Sequence, residues 1–471
     1  MNPMEAGSFR DPSGQVFVRD GRVFRTVMPQ AAEDYEFVRN SGLLEELVAQ
    51  GLLVSSTEIN RDANVGNWGK GAAYILEHPK LPFISYPYEW SFSTLKAACL
   101  VHLDIHLRAL NYDITLSDAS AYNIQFLGSK PIFIDRLSFV RYNPGAFWLG
   151  HRQFCEQFLN PLLLRSLIGI PHNSWYRGSQ EGIQSEDLVR LLPWKKKFSL
   201  NIFKHVILMA SLQKKTIEKP MTVKTHLLKE RPLPLASFQN ILKGLKAWVE
   251  ELNPLDTGKT IWGNYAKNHS YSSKEVQLKH DFVGNVIHSV KPKMVWDFGC
   301  NTGDYSVAAL KANASYVIGF DFDQKALELA FARAKDESLS FLPLFLDAGN
   351  PAPNQGFGEQ ERQGLKARAN PDCLLALAFT HHLAIGRNVP LPNLLDWLIS
   401  LAPHGVIEFV PKNDPMVQEL LSLRQDIFPD YTQQNFLALL KEKGEIVKTE
   451  TISKSGRMLV WFKRIELELG I

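Results

Sequence analysis

No stretch of this chain approaches the eighteen or more consecutive apolar residues of a membrane span. The longest candidate, Phe198 to Leu212, is interrupted by Asn201, Lys204 and His205, so no transmembrane segment is expected. The first twenty residues include Glu5, Arg10, Asp11, Arg19 and Asp20 and hold no apolar core, which is unlike a secretory signal. Cysteine is scarce: Cys99, Cys155, Cys300 and Cys373 are the only four in 471 residues. They lie too far apart for metal-ligand spacing, so no metal site is expected from them. Their sparsity fits a reducing, cytoplasmic location better than a disulfide scaffold. Charge of one sign is also lacking. The 52 Lys and Arg against 49 Asp and Glu leave a net +3, too little for a polyanion binder acting through bulk charge, and nucleic acid is not the expected partner. A chain of this length exceeds one typical core, and two or three domains are expected.

The stretch that carries most information is Val-Trp-Asp-Phe-Gly-Cys-Asn-Thr-Gly-Asp at 295–304. An apolar run ends in Asp297, and Gly299 and Gly303 follow before a helix-like segment. A second apolar run, Tyr316 to Phe320, ends in Asp321. Strand, glycine turn, helix and strand closing on a carboxylate is how an α/β sheet grips an adenosine-containing ligand. The two glycines allow backbone angles that Cβ resists and let a ligand approach the main chain. The third glycine of Gly-x-Gly-x-x-Gly is missing, which argues against a pyrophosphate. The leading Asp297 suits a ligand with a positive amine.

Residues 280–465 alternate strands and helices. The expected strands are Met294–Phe298, Tyr316–Phe320, Leu339–Leu346, Cys373–Phe379 and Val406–Val410, then an antiparallel pair, Glu445–Ile452 and Met458–Lys463. Asp323 is placed to cap the helix Gln324–Lys335. Further helices are expected at Leu394–Leu401 and Asn435–Lys443. The polar segment 350–370 reads as an insertion that covers the ligand. Residues 60–255 read as mostly helical, with helices at Phe92–Leu110 and Phe238–Leu252 and a linker at Asn253-Pro254. The segment 191–250 holds twelve Lys and Arg against three Asp and Glu. It reads as a solvated face, or as a patch for an acidic partner, nucleic acid or an anionic membrane.

Asp297-x-Gly299-x-x-x-Gly303 with Asp321 resembles motif I of the class I S-adenosylmethionine-dependent methyltransferases. That resemblance implies a seven-stranded doubly wound, Rossmann-like sheet. It also implies S-adenosyl-L-methionine as methyl donor, with Asp297, Gly299, Asn301 and Gly303 around its methionine part. Asp321 would take the ribose, Asp347 the adenine amino group, and Phe322 the adenine face. After the fourth strand, Phe379-Thr380-His381-His382-Leu383 stands where enzymes that methylate exocyclic amines or glutamine amides show Asn/Asp-Pro-Pro-Tyr/Phe. His-His-Leu resembles small-molecule methyltransferases instead. His381 or His382 is the general base, since imidazole titrates near neutrality, or one of them packs under the donor. Glu408 is a second base candidate, or it orients a histidine. Trp262, Tyr265 and Tyr271 form an aromatic entry segment or a plain hydrophobic staple. His-His-Leu-Ala-Ile-Gly-Arg-Asn-Val-Pro, Ile-Glu-Phe-Val-Pro-Lys and Asp-Ile-Phe-Pro-Asp-Tyr-Thr together resemble a nodulation-protein-like group of bacterial methyltransferases, over roughly residues 255–465.

In the amino-terminal half, Asp118-x-x-x-x-Asn123 precedes an apolar strand ending in Asp135. That layout resembles the catalytic loop and metal-binding acid of small-molecule kinases of the aminoglycoside-phosphotransferase type. It implies Mg²⁺ and ATP, with Asp118 as base and Asn123 and Asp135 on the metal. Gly14–Val27 would be a shortened hairpin and Glu33–Gln50 the αC-like helix. Leu116-Ser117 stands in place of His-Arg. There is no glycine-rich phosphate loop and no Val-Ala-x-Lys, Arg25 being the nearest basic residue. A degenerate kinase-like domain that binds acceptor suits these departures.

The expected chain is therefore an α+β, kinase-like or acceptor-binding domain at 1–255 and a class I methyltransferase domain at 256–471. The expected reaction is methyl transfer to oxygen, or to nitrogen, of a small-molecule or glycan-type acceptor. The alternatives are a methyltransferase that also phosphorylates and a non-catalytic S-adenosylmethionine-binding protein. Nothing in the residues sets the oligomeric state.

Overall fold

Runs of β-branched and aromatic residues in the carboxyl-terminal half become a seven-stranded sheet. The computed structural model describes residues 4–59, 69–208, 232–255, 273–422 and 424–465. Two units emerge. Unit 1 comprises Met1–Phe126, Lys130–Thr257 and Gln355–Arg362, and unit 2 comprises Leu127–Ser129, Gly258–Asn354 and Gln363–Ile471.

Unit 1 begins with the hairpin β1 (Val16–Arg19) and β2 (Arg22–Val27). Asp20 and Gly21 both have positive φ, as the tight turn between twisted strands requires. β3 (Thr57–Glu58) and β4 (Tyr74–His78) complete an antiparallel sheet of order β1-β2-β4-β3. The single helix expected over Glu33–Gln50 is two, Ala32–Asn40 and Leu43–Ala49. Gly42 lies between them at φ +86, and the Ser41 hydroxyl donates to the Val38 carbonyl and accepts from the Leu43 amide. The helix Phe92–Ala109 starts where the Ser91 hydroxyl accepts from the Thr94 amide. It packs on the helix Leu235–Glu251, with Lys246 Nζ 2.9 Å from Asp104 Oδ1.

Among the described residues, 60–255 are mostly helical and connecting, as expected, but short strands stand among the helices. Besides β4 they hold β5 (Ile114–Leu116), β6 (Ile124–Leu127), β7 (Lys130–Phe133) and β8 (Phe139–Arg141). Strands of three or four residues are too short to show alternation. The 350–370 segment lies between the strands Phe341–Phe345 and Cys373–Ala376, as expected, and its central part, Gln355–Arg362, belongs to unit 1. Arg10 Nε donates to Glu361 Oε1 at 2.6 Å, and the Arg362 guanidinium lies 4.2 Å from the Tyr122 ring centroid.

Unit 2 contains β9 (Met294–Phe298), β10 (Tyr316–Asp321), β11 (Phe341–Phe345), β12 (Cys373–Ala376), β13 (His404–Phe409), β14 (Gly444–Thr451) and β15 (Met458–Arg464). Their order is β11-β10-β9-β12-β13-β15-β14. The first five are parallel, and β15 runs antiparallel to both β13 and β14. Every residue of β9 is buried, as in a parallel sheet covered on both faces. The helix Ser273–Val290 buries Phe282, Val283, Val286 and Ile287 against that sheet. Asp323 caps the helix Gln324–Asp336 through the Lys325 and Ala326 amides, at 2.8 and 3.1 Å.

One glycine does something other than expected. Gly303 has φ +86, and a Cβ there would stand 2.5 Å from the Phe341 ring. Its role is to let the helix Asp304–Lys311 start against β11, which is the packing task of the missing third glycine. Gly303→Ala is expected to lower stability by about 2–4 kcal/mol, from the left-handed φ together with the overlap. Denaturant unfolding of unit 2 measures this, and an unchanged midpoint would show that Phe341 yields.

Candidate functional site

The crevice lies where the strand order reverses, between β9 and β12, the place where open α/β sheets hold ligands. The turn after β9 is pinned to the end of β10. Gly299 and Cys300 amides donate to the Phe320 carbonyl at 2.8 and 3.1 Å. The Asn301 amide donates to Asp321 Oδ2, and the Asp323 amide to Asp321 Oδ1, both at 2.8 Å. Gly299 has φ +75, and a Cβ there would stand 3.3 Å from the Phe379 ring. The loops after β9 and β12 therefore meet at this glycine. Burial pushes the Asp321 carboxyl up to about 6, while the Asp323 and Asn301 amides pull it down.

Asp297 is placed differently from Asp321. It is buried, and Ser306 Oγ donates to its Oδ2 at 2.6 Å. Burial pushes it up to about 7 against that bond. Asp297 therefore ties the helix Asp304–Lys311 to the end of β9. At the ends of β10 and β11, Phe322 keeps 55% of its surface exposed, with its ring 5.8 Å from that of Phe345. Asp347 is half-buried; its Oδ1 accepts from the Gly349 amide at 3.0 Å and lies 3.6 Å from Arg387. The structure thus gathers Gly299, Asn301, Asp321, Phe322 and Asp347 along the carboxyl ends of adjacent strands.

β12 ends at Ala376, three residues earlier than expected, because Ala378 turns into the left-handed region at φ +47. Such a conformation without glycine is sustained only by its surroundings. Here the Ala378 amide donates to Glu408 Oε2 at 2.7 Å, and Lys279 Nζ contacts the same oxygen at 2.7 Å. Lys279 and Glu408 are both buried. Burial lowers Lys279 below its usual range, although Glu408 pulls the other way. Arg457 lies 3.7 Å from Glu408 Oε1 and forms a two-pronged pair with Asp414, at 2.6 and 2.7 Å. Burial would raise Asp414, but Arg457 and Ser455 hold it below the usual carboxylate range.

Glu408 is thus a clamp on the loop after β12. It is fully buried and engaged by the Ala378 amide and Lys279. His381 is buried, with no hydrogen-bond partner on either ring nitrogen among the described residues, and burial pushes it well below the usual range. His382 is half-buried, its ring 4.0 Å from that of His381, and burial lowers it to about 4. Trp262, Tyr265 and Tyr271 lie outside the described residues. Lys279, Arg457 and Asp414 were given no role by sequence reasoning. Lys279 had a signal: it stands in the apolar stripe of its helix, three and four residues before the buried Phe282 and Val283. A lysine there needs a buried partner.

In unit 1, Asp118, Asn123 and Asp135 do come together. Asn123 Nδ2 donates to Asp118 Oδ1 at 3.0 Å and lies 3.5 Å from Asp135 Oδ2. The cluster does not fit Mg²⁺ or ATP. Arg25 NH1 stands 3.0 Å from Asp135 Oδ1, and its NH2 is 2.6 Å from Asp11 Oδ2. A guanidinium already supplies the positive charge that a metal would bring. Burial, then the charge of Asp135, pushes the Asp118 carboxyl up to about 7. A folded-state value raised above the ordinary 3.8 contributes stability below about pH 4, which is lost as pH rises through about 7. Asp118→Asn is therefore expected to flatten the fall in melting temperature of unit 1 between pH 4.5 and pH 8. The same slope in wild type and variant would contradict this.

No family model matches the chain. Over 464 residues it is 46% identical to nodulation protein NoeA of Rhizobium meliloti (strain 1021), across 98% of this chain and 96% of that protein. The chain belongs to the NoeA family. Part of this NoeA-family chain is also similar to ribosomal protein L11 methyltransferases. The one from Caldanaerobacter subterraneus is 30% identical over 160 residues, 27% of this chain and 52% of that protein. Among solved structures, the N-methyltransferase NodS from Bradyrhizobium japonicum WM9 aligns with 41% of this chain and 99% of its own, at 11% identity and a TM-score of 0.31. Magnesium protoporphyrin IX methyltransferase from Synechocystis aligns with 40% and 84%, at 19% identity and 0.29. The strand order of unit 2 gives this NoeA-family member the seven-stranded doubly wound sheet that the motif I resemblance implied. Among the described residues no helix is long and apolar enough to cross a membrane.

Proposed function

We propose that this NoeA-family chain transfers a methyl group from S-adenosylmethionine to a hydroxyl of a small-molecule or glycan-type acceptor. The observation that carries the reading is the Asp321 carboxylate, which binds the glycine turn of β9 at the strand-order reversal. Asp321 holds the ribose hydroxyls, Phe322 the adenine face and Asp347 the adenine amino group. Gly299 and Asn301 line the methionine part. The donor supplies an activated methyl group on a sulfonium; the chain must then align the acceptor and take its proton.

His382 is the residue we assign to that proton. It is less buried than His381, and its lowered value keeps the imidazole neutral above about pH 5. Glu408 and Lys279 position the loop that carries it. His382→Gln is expected to reduce turnover about a hundredfold or more with donor affinity unchanged. Because the base must be unprotonated, the acid limb of the wild-type profile falls near pH 4 rather than near 6.5. A limb at 6.5, or full turnover in His382→Gln, would remove His382 from the role.

The test of the function is transfer of label from methyl-labelled S-adenosylmethionine into a bacterial small-molecule and glycan extract. A labelled neutral product rules out a protein that only binds the donor. Label that enters only amines shifts the acceptor to nitrogen. Absence of any labelled product contradicts the proposal.

A further inference from the structure

A solvated helical face turns polar groups outward and apolar ones inward, but the stretch Trp194–Leu208 of unit 1 turns large apolar groups outward beside its lysines. Trp194 is 67% exposed, Phe198 79% and Leu200 64%, and Phe203 is also more than half exposed. Lys195, Lys196, Lys197 and Lys204 stand among them, with no Asp, Glu or Arg between Trp194 and Leu208. The Trp194 and Phe198 rings meet edge to face at 5.9 Å, and Lys195 Nζ lies 5.8 Å from the Trp194 centroid. The backbone beneath is formed and anchored. Ile202 and Val206 are buried, His205 Nδ1 is 3.1 Å from His151 Nε2, and the His205 ring lies 6.2 Å from that of Trp248. Leu149, two residues before His151, is also highly exposed.

We propose that this surface docks unit 1 on an anionic lipid bilayer. Trp and Phe sit at the boundary between headgroups and acyl chains, aliphatic side chains enter it, and lysines meet the lipid phosphates. Nucleic acid fits less well. It has no use for exposed leucines, and it is bound through arginine at least as often as lysine. A protein partner with an acidic surface would not need four large outward apolar groups among the lysines. Single exposed apolar residues are ordinary on a surface; several in one short basic stretch mark an interaction site.

The test is co-sedimentation of the full chain with phosphatidylcholine vesicles that do or do not contain one third phosphatidylglycerol. The chain should pellet with the anionic vesicles, remain soluble with phosphatidylcholine alone, and be released as salt is raised. Lys195→Ala with Lys196→Ala should weaken partition by about thirtyfold, taking each lysine near a charged surface at its usual contribution. Trp194→Ala with Phe198→Ala should weaken it at least tenfold. An unchanged melting temperature, expected because these side chains are exposed, separates lost docking from lost folding. Equal binding to both vesicle types, binding untouched by either double variant, or retention on single-stranded RNA without vesicle binding overturns the proposal.

Discussion

Asp321→Ala is expected to weaken S-adenosylmethionine binding by about a hundredfold to ten-thousandfold. The carboxylate stands at the end of β10, where two hydroxyls of a ribose can donate to it. Hydrogen bonds to a charged group contribute about 1.5–3 kcal/mol each, and about 1.4 kcal/mol is a factor of ten in affinity. The same carboxylate accepts the Asn301 and Asp323 amides at 2.8 Å, so its loss also loosens the turn that faces the ligand. Calorimetric titration measures the affinity, and a melting curve shows whether unit 2 remains folded. Asp321→Asn keeps one acceptor oxygen and should fall between the two. A folded Asp321→Ala variant that binds as tightly as wild type would remove the ribose role.

Lys279→Met is expected to cost about 3–5 kcal/mol, the usual result of leaving one member of a buried ion pair alone. Glu408 would then keep Arg457, 3.7 Å from its other oxygen, as its ion-pair neighbour among the described residues. The Ala378 amide would lose a fixed acceptor, and with it the left-handed turn that carries Thr380, His381 and His382 would loosen. Donor affinity and turnover should fall with stability. Lys279→Met with Glu408→Gln should recover most of the loss, because the glutamine oxygen still accepts from Ala378 while no charge is stranded. A cost below about 1 kcal/mol in the single variant would show that water reaches the pair.

The parts of unit 2 that were legible before any coordinates are those with strong local signals. β9 and β10 are apolar runs closed by Asp297 and Asp321, and Asp323 caps its helix as expected. The roles within the turn were less legible. Gly299 and Gly303 look alike in sequence, yet one touches the loop after β12 and the other the Phe341 ring. Only the packing of β11 tells them apart. Asp297 and Asp321 both end strands, but Ser306, nine residues on, takes the first. Glu408 appeared as a base because an acid at a strand end is usually open. Its partners come from residue 279 and residue 457, pairings of high sequence separation that no local pattern reveals. In unit 1 the Asp118, Asn123 and Asp135 trio was legible as a cluster, and its chemistry was not. Arg25, on β2, reaches Asp135 across the unit.

Equilibrium dialysis of the intact chain against labelled S-adenosylmethionine tests the central claim most directly. The account predicts one donor bound per chain, displaced by S-adenosylhomocysteine and left in place by ATP. No binding, or displacement by ATP, would contradict it.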